Sequence, residues 1–238
     1  MTQLLYQTDS YLRSAHAEIV DILEHGVVLD RTPFYPPGGG QPGDTGHFSF
    51  ADKRRRDVFA MKRYQGQVFH VLHDVDELSE GDLVHAAIDW DRRYALMRTH
   101  TALHILCGVV WRDYQAQVTG GNMELLRGRL DFELDHLDAG MIVEIEGKVN
   151  HEVEAARSVE VRILPRAEAF AIPDLIRTKV NLLPSGIDEV RIVDVVGLDL
   201  QADGGTHVAN TNEVGRIKIA DYKSKGRGNK RIAIVVED

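Results

Sequence analysis

The sequence predicts an α+β fold, in which a small β-barrel precedes a domain built from an antiparallel sheet with helices on one side. Two observations support this prediction. Residues 1–88 read as short strands separated by turns, with no clear helical pattern. After Asp89 the pattern changes to long helical segments interleaved with strand-like ones. We therefore predict two domains, residues 1–88 and residues 89–238.

Turn signals divide the first domain into strands. Residues 16–30 alternate well enough for a hairpin with its turn at Glu24, His25 and Gly26. A second hairpin is predicted over residues 56–72, with its turn at Gln65 and Gly66, and residues 82–89 add a further strand. Residues 31–48 are too rich in proline and glycine to be helical. Several short strands of this kind predict a small β-barrel or a sandwich.

Helical periodicity appears twice in the second domain. Residues 91–115 predict a buried helix with an aspartate N-cap, since the segment is rich in Leu and Ala and free of proline. Residues 138–157 predict a second helix, with Ile142, Ile145, Val149 and Val153 at helical spacing. Strands are predicted at VEVRIL, EVRIVDV, GRIKIADY and KRIAIVVE, with a short helix near residues 166–176.

Composition excludes several classes of protein. Of the 238 residues, 43% are hydrophobic and 27% charged, as in ordinary globular domains. No run of about 18 apolar residues occurs, which argues against a membrane span. The N-terminus lacks the basic-then-apolar layout of a signal peptide. Cys107 is the single cysteine, which excludes an internal disulfide framework and a Cys-only zinc cluster. These features predict a protein of the reducing cytoplasm.

The formal net charge of −9 argues against a nucleic-acid partner, but phosphate contacts need only a local basic surface. Two basic patches occur, and a solvated face is the commoner use of either one. The N-terminal basic patch comprises Lys53, Arg54, Arg55, Arg56, Lys62 and Arg63. The C-terminal basic patch comprises Arg216, Lys218, Lys223, Lys225, Arg227, Lys230 and Arg231.

Two histidines mark a candidate metal site. His100 and His104 lie four residues apart, on one face of the first predicted helix, where two imidazoles can bind one ion. The helical zinc-protease motif needs Glu after the first His, and Thr101 at that position excludes this class. Asp203 and His207 flank a Gly-Gly turn that brings both side chains to one point. Together the four residues predict a site with three nitrogen ligands and one oxygen ligand, and incidental polar residues are the alternative.

Several segments in the right order carry a family resemblance. Residues 98–104 (RTHTALH), 202–208 (ADGGTHV) and 224–232 (SKGRGNKRI) resemble segments of the editing domain of alanyl-tRNA synthetase and of its free-standing AlaX-type relatives. Residues 210–215 continue the second segment. Residues 36–46 (PPGGGQPGDTG) are similar to the Gly-rich loop of longer members, which keep an N-terminal β-barrel. The segments cover nearly the whole chain.

The resemblance implies a hydrolase that removes a wrongly attached amino acid from tRNA(Ala), with seryl-tRNA(Ala) as the expected substrate. It also implies one zinc ion per chain, held by His100, His104, Asp203 and His207. Asp203 stands where the family usually has cysteine, so the carboxylate either ligates the metal or hydrogen-bonds to a ligand histidine. Cys107 as a replacement ligand is disfavoured, since a lone cysteine among apolar residues packs as a small hydrophobe.

Further roles follow from the same resemblance. Asn122 is an expected catalytic polar group, in a predicted loop over residues 119–123 that is similar to a family loop lining the pocket; a plain turn after the helix is the alternative. Thr101 and Thr206 are expected catalytic hydroxyls because each lies next to a candidate ligand. The expected substrate-binding residues are Gly39, Gly40, Gln41 and Asp44. The expected RNA-binding residues are Lys225, Arg227, Lys230 and Arg231.

Two other functions fit the same residues. A metal-stabilised RNA-binding module would bind tRNA without turnover, and the aspartate in place of cysteine would be the mark of its lost activity. A metal-dependent hydrolase of another ester or amide would act on small substrates and ignore tRNA. The sequence leaves open whether serine or glycine is the preferred amino acid, and it does not indicate an oligomeric state.

Overall fold

The computed structural model describes residues 2–64, 66–180, 183 and 186–238. Two compact units are found, an N-terminal unit of Met1–Tyr94 and a C-terminal unit of Ala95–Asp238. Strands dominate over helices in the chain, and the predicted α+β class is confirmed. The assignment of residues 1–88 and 89–238 to separate domains stays a prediction.

The N-terminal unit consists mainly of strands, with a short 3-10 helix at Leu5–Gln7. The strands are Gln3–Leu4 (β1), Ser14–Leu23 (β2), Gly26–Leu29 (β3), Arg31–Thr32 (β4), Gly46–Ser49 (β5), Arg55–Val58 (β6), Ala60–Tyr64 (β7), Gln67–Val71 (β8) and Leu83–Ile88 (β9). Seven of them form one antiparallel sheet in the order β6-β5-β9-β2-β3-β8-β7, which curls into a half-barrel. Strands β1 and β4 form a separate parallel pair.

Alternation along the strands builds the core of this unit. On β9 the buried positions are Val84, Ala86 and Ile88, as the two-residue period of a strand requires. The predicted hairpin is confirmed, because Leu23 pairs with Gly26 across the β2–β3 turn. In the predicted turn at Gln65 and Gly66, Gln65 lies outside the described residues. The core also contains Ile19, Val27, Leu29, Phe34, Phe48, Val58, Met61 and Val68.

The Gly-rich loop contains a tight turn at Gly39 and Gly40. Their φ angles are +58° and +87°, a conformation that side-chain-bearing residues rarely adopt. Gly38 and Gln41 exchange backbone hydrogen bonds of 3.2 and 2.9 Å on either side of the turn. The two glycines therefore form the exposed tip of the loop, while Gln41 is buried at its base.

A buried ion pair fixes the rest of this loop. Arg93 and Asp44 are both fully buried, and the Arg93 Nε donates to both Asp44 carboxylate oxygens at 3.0 Å. The same guanidinium donates to the carbonyl oxygens of Ser10 at 2.9 Å and Pro33 at 2.7 Å. Asp44 in turn accepts the backbone N–H of Tyr35 at 2.7 Å. The polar groups of the pair thus satisfy one another and the surrounding backbone.

Among its described residues, the C-terminal unit contains three α-helices, a short 3-10 helix at Thr211–Glu213 and two antiparallel sheets. The α-helices are Trp90–Tyr114 (α1, which begins before the division), Ala139–Glu154 (α2) and Arg166–Phe170 (α3). The strands are Val118–Glu124 (β10), Arg127–Phe132 (β11), Val159–Pro165 (β12), Glu189–Val195 (β13), Asp199–Ala202 (β14), Arg216–Gly226 (β15) and Asn229–Glu237 (β16). One sheet has the order β10-β11-β16-β15 and the other β12-β13-β14.

Local sequence explains where the helices begin and end. The Asp89 side chain accepts the backbone N–H of Arg92 at the start of α1, and Asp138 caps α2 by accepting that of Met141. The aspartate that caps α1 thus precedes residue 91. Helix α3 is shorter than predicted and ends at Phe170, because Pro173 lacks an N–H and disfavours helical backbone at the residue before it.

Helix α2 lies along the edge strand β15. Asn150 accepts the backbone N–H of Ile217 at 2.9 Å and donates to its carbonyl at 2.7 Å. Glu146 accepts the backbone N–H of Ile219 at 2.7 Å. Two side chains thus satisfy backbone groups that an edge strand leaves unpaired.

Three strands of this unit were not predicted. Residues 119–123, predicted as a loop, belong to β10, which pairs with β11 from Val118 to Glu124. The prediction was wrong because glycine breaks the strand pattern, although neighbouring strands can hold it in extended conformation. Strands β11 and β14 were also missed. In the part of the chain that the structure describes, no helix combines the length and apolarity needed to cross a membrane.

The Arg93–Asp44 pair predicts a large effect of one substitution. Asp44→Asn is expected to lower the free energy of unfolding by about 3–5 kcal/mol, because it leaves a buried guanidinium without a countercharge. Urea unfolding of the full chain measures the change. The matched control is Asp57→Asn, which removes an exposed partner of Arg55 and is expected to change stability little. Equal stability of the two variants would contradict the importance of the buried pair.

Candidate metal centre

Helix α1 supplies two of the candidate ligands. Its neighbouring residues Leu96, Met97, Ile105 and Leu106 are fully buried, so apolar packing surrounds the helix. His100 and His104 are also buried, and their ring centroids lie 5.2 Å apart. The four-residue spacing therefore places both imidazoles on one face of the helix, as predicted from the sequence.

The turn after β14 supplies the other two candidate ligands, Asp203 and His207. Asp203 Oδ1 accepts the backbone N–H of Gly205 at 2.6 Å, which closes the turn. Arg191 on β13 donates to the Asp203 carbonyl at 3.0 Å and accepts its N–H at 3.1 Å through its own carbonyl. These bonds fix the backbone before His207, whose side chain is 1% exposed.

The four side chains converge on one point. Asp203 lies 3.5 Å from His100 Nε2, 3.9 Å from His104 Nε2 and 3.2 Å from His207 Nε2. The His207 ring centroid is 4.2 Å from that of His100 and 4.7 Å from that of His104. One potential ligand atom from each residue lies within 4.8 Å of the others. The predicted grouping of His100, His104, Asp203 and His207 is therefore present.

Burial and neighbouring charges set the protonation of this cluster. Burial lowers the pKa of His100 to about 4 and that of His207 well below its usual value, so both imidazoles are neutral at pH 7. Burial also opposes a charge on His104, but hydrogen bonds to Asp199 and Asp203 outweigh it and raise the pKa to about 9. Burial would raise the pKa of Asp203, yet the surrounding histidines hold it well below its usual value.

This donor set fits a divalent metal ion. Neutral imidazole nitrogens and a carboxylate oxygen are ligands that zinc-type ions accept, usually four at a time. At pH 7 the cluster presents two neutral imidazoles and an anionic carboxylate, while the proton on His104 is one that a bound cation would displace. The His/Asp cluster could therefore bind a metal ion.

A second layer of polar groups lies behind the rings. Thr101 Oγ1 lies 3.2 Å from His207 Nδ1 and accepts the backbone N–H of Val208 at 3.3 Å. Asp199 Oδ2 lies 3.0 Å from His104 Nδ1. Sequence reasoning missed Asp199. The available signal was the alternation of Asp199, Gln201 and Asp203, which places three polar side chains on one face of a strand.

The other expected catalytic residues lie in different environments. Thr206 is fully buried next to His207, whereas Asn122 is exposed on β10. Cys107 is buried, and its Sγ accepts a hydrogen bond of 3.3 Å from Gln201 Nε2. Burial raises the pKa of the Cys107 thiol well above its usual value, so the thiol stays protonated and unreactive.

Acidic neighbours pair with three of the four arginines of the N-terminal basic patch. Arg54 lies 2.6 Å from Asp52, Arg55 lies 3.1 Å from Asp57, and Arg56 Nε lies 3.5 Å from Asp74. These pairs offset much of the positive charge that the sequence suggested for this patch.

The expected RNA-binding residues of the C-terminal basic patch differ in exposure. Arg231 forms a two-bond pair with Asp131, at 2.6 and 2.8 Å. Lys230 is buried and donates to the carbonyl of Gly226 at 3.1 Å. Lys225 and Arg227 are exposed near the β15–β16 turn. Only these last two of the four present their charges fully to solvent.

Comparison with known proteins gives consistent matches. A family model described as tRNA synthetases class II (A) matches residues 8–92, and one described as threonyl and alanyl tRNA synthetase second additional domain matches residues 190–233. Alanyl-tRNA editing protein AlaX-M of Saccharolobus solfataricus is 36% identical over 238 residues, covering 100% of both chains. The protein of the same name from Methanosarcina acetivorans is 36% identical over 245 residues, with the same coverage. Alanine–tRNA ligase of Sulfurisphaera tokodaii is 33% identical over 243 residues, covering 100% of this chain and 26% of the ligase.

The cluster geometry predicts the effect of removing one ligand. His207→Ala is expected to abolish stoichiometric binding of a divalent cation, because three remaining groups hold such an ion far less tightly. Equilibrium dialysis against Zn²⁺ followed by metal analysis measures the stoichiometry, with one ion per chain expected for the wild type. The matched control His151→Ala removes an exposed histidine of α2 and is expected to leave binding unchanged. Retention of one tightly bound ion by His207→Ala would refute the site.

Proposed function

Because the chain belongs to the family of AlaX-M alanyl-tRNA editing proteins, we propose that it hydrolyses the ester bond between tRNA(Ala) and a wrongly attached amino acid. The observation that carries this proposal is the buried cluster of His100, His104, Asp203 and His207. We propose serine as the amino acid, zinc as the bound ion at one per chain, and the cytoplasm as the location.

Hydrolysis of an aminoacyl ester does not require a nucleophilic side chain. An aminoacyl ester is already activated, so a positioned water can attack its carbonyl carbon while the ribose oxygen leaves. This agrees with the buried, protonated state of the Cys107 thiol. When bound, zinc supplies a fixed positive charge that favours the negative charge developing on the ester carbonyl oxygen. The protein side chains hold that charge in place, exclude bulk water and orient the substrate.

Thr101 has a positioning role in this proposal. For His207 Nε2 to offer its lone pair to a metal ion, its Nδ1 must carry the proton and donate to Thr101 Oγ1, 3.2 Å away. Thr206, adjacent to His207, and Asn122 remain the proposed polar contacts of the substrate. A site that hydrogen-bonds the seryl hydroxyl discriminates strongly against alanine, since its own polar groups stay unpaired with the smaller side chain.

The Gly-rich loop is proposed to contribute to substrate binding. Its exposed tip, Gly39 and Gly40, offers backbone N–H groups, and Gln41 lies directly after it. Asp44 was expected to contact substrate as well, but its carboxylate is fully engaged by Arg93 and Tyr35. We therefore propose that Asp44 supports the loop and that Gly39, Gly40 and Gln41 provide the contacts.

We propose that tRNA phosphates contact the exposed part of the C-terminal basic patch, Lys225 and Arg227. Contacts of this kind position the RNA backbone without reading its sequence. Lys230 and Arg231, which were expected to bind RNA too, hold the hairpin and its neighbour β11 through Gly226 and Asp131.

Release of amino acid from purified aminoacyl-tRNA tests the activity. The wild type is expected to release serine from seryl-tRNA(Ala) rapidly and to leave alanyl-tRNA(Ala) intact. His104→Ala is expected to lower the rate by roughly 100-fold or more, since it removes electrostatic stabilisation at the reacting ester. Binding of seryl-tRNA(Ala) without release would identify an RNA-binding module instead. Turnover of small esters without regard to tRNA would identify an esterase of another specificity.

Salt dependence tests the proposed RNA contacts. Lys225→Ala and Arg227→Ala are each expected to reduce the slope of log affinity against log salt concentration by about 1, because each removes one phosphate contact. Binding of tRNA(Ala) measured over a salt series gives the slope. Arg55→Ala, a basic residue paired with Asp57 in the N-terminal patch, is the control and is expected to leave the slope unchanged. A wild-type slope in both lysine and arginine variants would place the RNA elsewhere.

A further inference from the structure

Asp199 is a buried carboxylate outside the cluster of candidate ligands. It begins strand β14, and its side chain is 0% exposed. A carboxylate removed from water is costly unless charge and hydrogen bonds compensate it. The partners of Asp199 therefore indicate why the fold retains it.

The compensation connects Asp199 to the candidate metal site. Its Oδ2 lies 3.0 Å from His104 Nδ1, on the side of the ring opposite Asp203. Gln201 Nε2 donates to the same oxygen at 2.6 Å, which fixes the carboxylate against rotation. On its other oxygen, Arg177 Nε lies 3.5 Å away and supplies a positive countercharge. His104 is thus held between two carboxylates, one on each ring nitrogen.

A glycine in helix α1 leaves room for the contact between Asp199 and His104. Gly108 lies one helical turn after His104, where a Cβ atom would stand 2.9 Å from Asp199 Cβ and 2.8 Å from Leu198 Cγ. The missing side chain lets the β13–β14 turn approach the helix closely enough for Asp199 to reach His104. Arg177 in turn lies over the Trp111 ring, with 4.6 Å between its guanidinium carbon and the ring centroid.

We propose that Asp199 is a positioning residue for the metal site. It orients His104 so that Nδ1 donates to the carboxylate and Nε2 directs its lone pair at the point where the four ligands meet. A carboxylate bonded to a ligand histidine in this way also makes the imidazole a stronger ligand. The inference rests on the proposed metal-dependent function, and it assigns to Asp199 a role in cation affinity without direct contact to substrate.

Metal affinity tests the proposal directly. Metal-free full-length protein is titrated with Zn²⁺ against a competing chelator, and Asp199→Asn is expected to bind about 10–100-fold more weakly than the wild type. The visible spectrum of the Co²⁺-loaded protein, which reports ligand geometry, is expected to change as well. The matched control is Asp194→Asn on the neighbouring strand, which pairs with Arg162 and touches no candidate ligand. It is expected to keep wild-type affinity and spectrum.

The possible results are distinguishable. A wild type that binds Zn²⁺ and an Asp199→Asn variant that binds equally well overturn this inference alone. Absence of Zn²⁺ binding by the wild type overturns the metal site, and this inference with it. A lower urea midpoint of the metal-free variant with unchanged Zn²⁺ affinity shows a purely structural role and overturns the proposal. If Asp199→Asn does not fold, Gln201→Met is tested instead, because it keeps Asp199 and all four candidate ligands. This variant is expected to lose Zn²⁺ affinity to a smaller extent than Asp199→Asn. Unchanged Zn²⁺ affinity of Gln201→Met overturns the proposal.

Discussion

Removal of three imidazoles and one carboxylate from water is the constraint on which the C-terminal unit depends. A buried carboxylate is stable only when hydrogen bonds and opposite charge replace its hydration. For Asp203 these come from His100, His104 and His207 and from the N–H of Gly205. The partners lie on α1 and on the turn after β14, so the cluster forms only when helix and sheet have packed. Local strand and helix formation alone cannot assemble it.

The same rule operates at two other sites of buried charge. In the N-terminal unit, Arg93 and Asp44 satisfy one another and hold the Gly-rich loop. In the C-terminal unit, Glu152 of α2 accepts from Arg112 at 2.6 Å and from Arg157 at 2.5 Å, which ties α2 to the end of α1. Such pairs add little net stability compared with apolar packing, but loss of one partner is costly. Their value here is geometric, since each fixes one loop or helix end in one position.

Sequence patterns predicted the long elements and the closeness of the residues within each pair, His100 with His104 and Asp203 with His207, because helical spacing and the Gly-Gly turn are local signals. They failed where distant partners decide the outcome. Strand β10 was predicted as a loop because its glycines have no strand preference, and only pairing with β11 extends them. The ion pairs of Asp44 with Arg93 and of Arg231 with Asp131 were not predicted, since the partners lie 49 and 100 residues apart in sequence; the expected binding roles of Asp44 and Arg231 stay predictions. Asp199 was overlooked for the same reason, since His104 is 95 residues away.

The position of helix α2 beside β15 affects which backbone groups the four-stranded sheet leaves open to other molecules. The Asn150 side chain hydrogen-bonds to the N–H and the carbonyl of Ile217, as a neighbouring strand would. Glu146 accepts the backbone N–H of Ile219, two residues further along β15. The first part of β15 is therefore covered by α2, and its backbone groups there are not offered to a strand of another molecule. This part of the sheet edge is protected against edge-to-edge aggregation by two polar side chains of a helix, without a further strand.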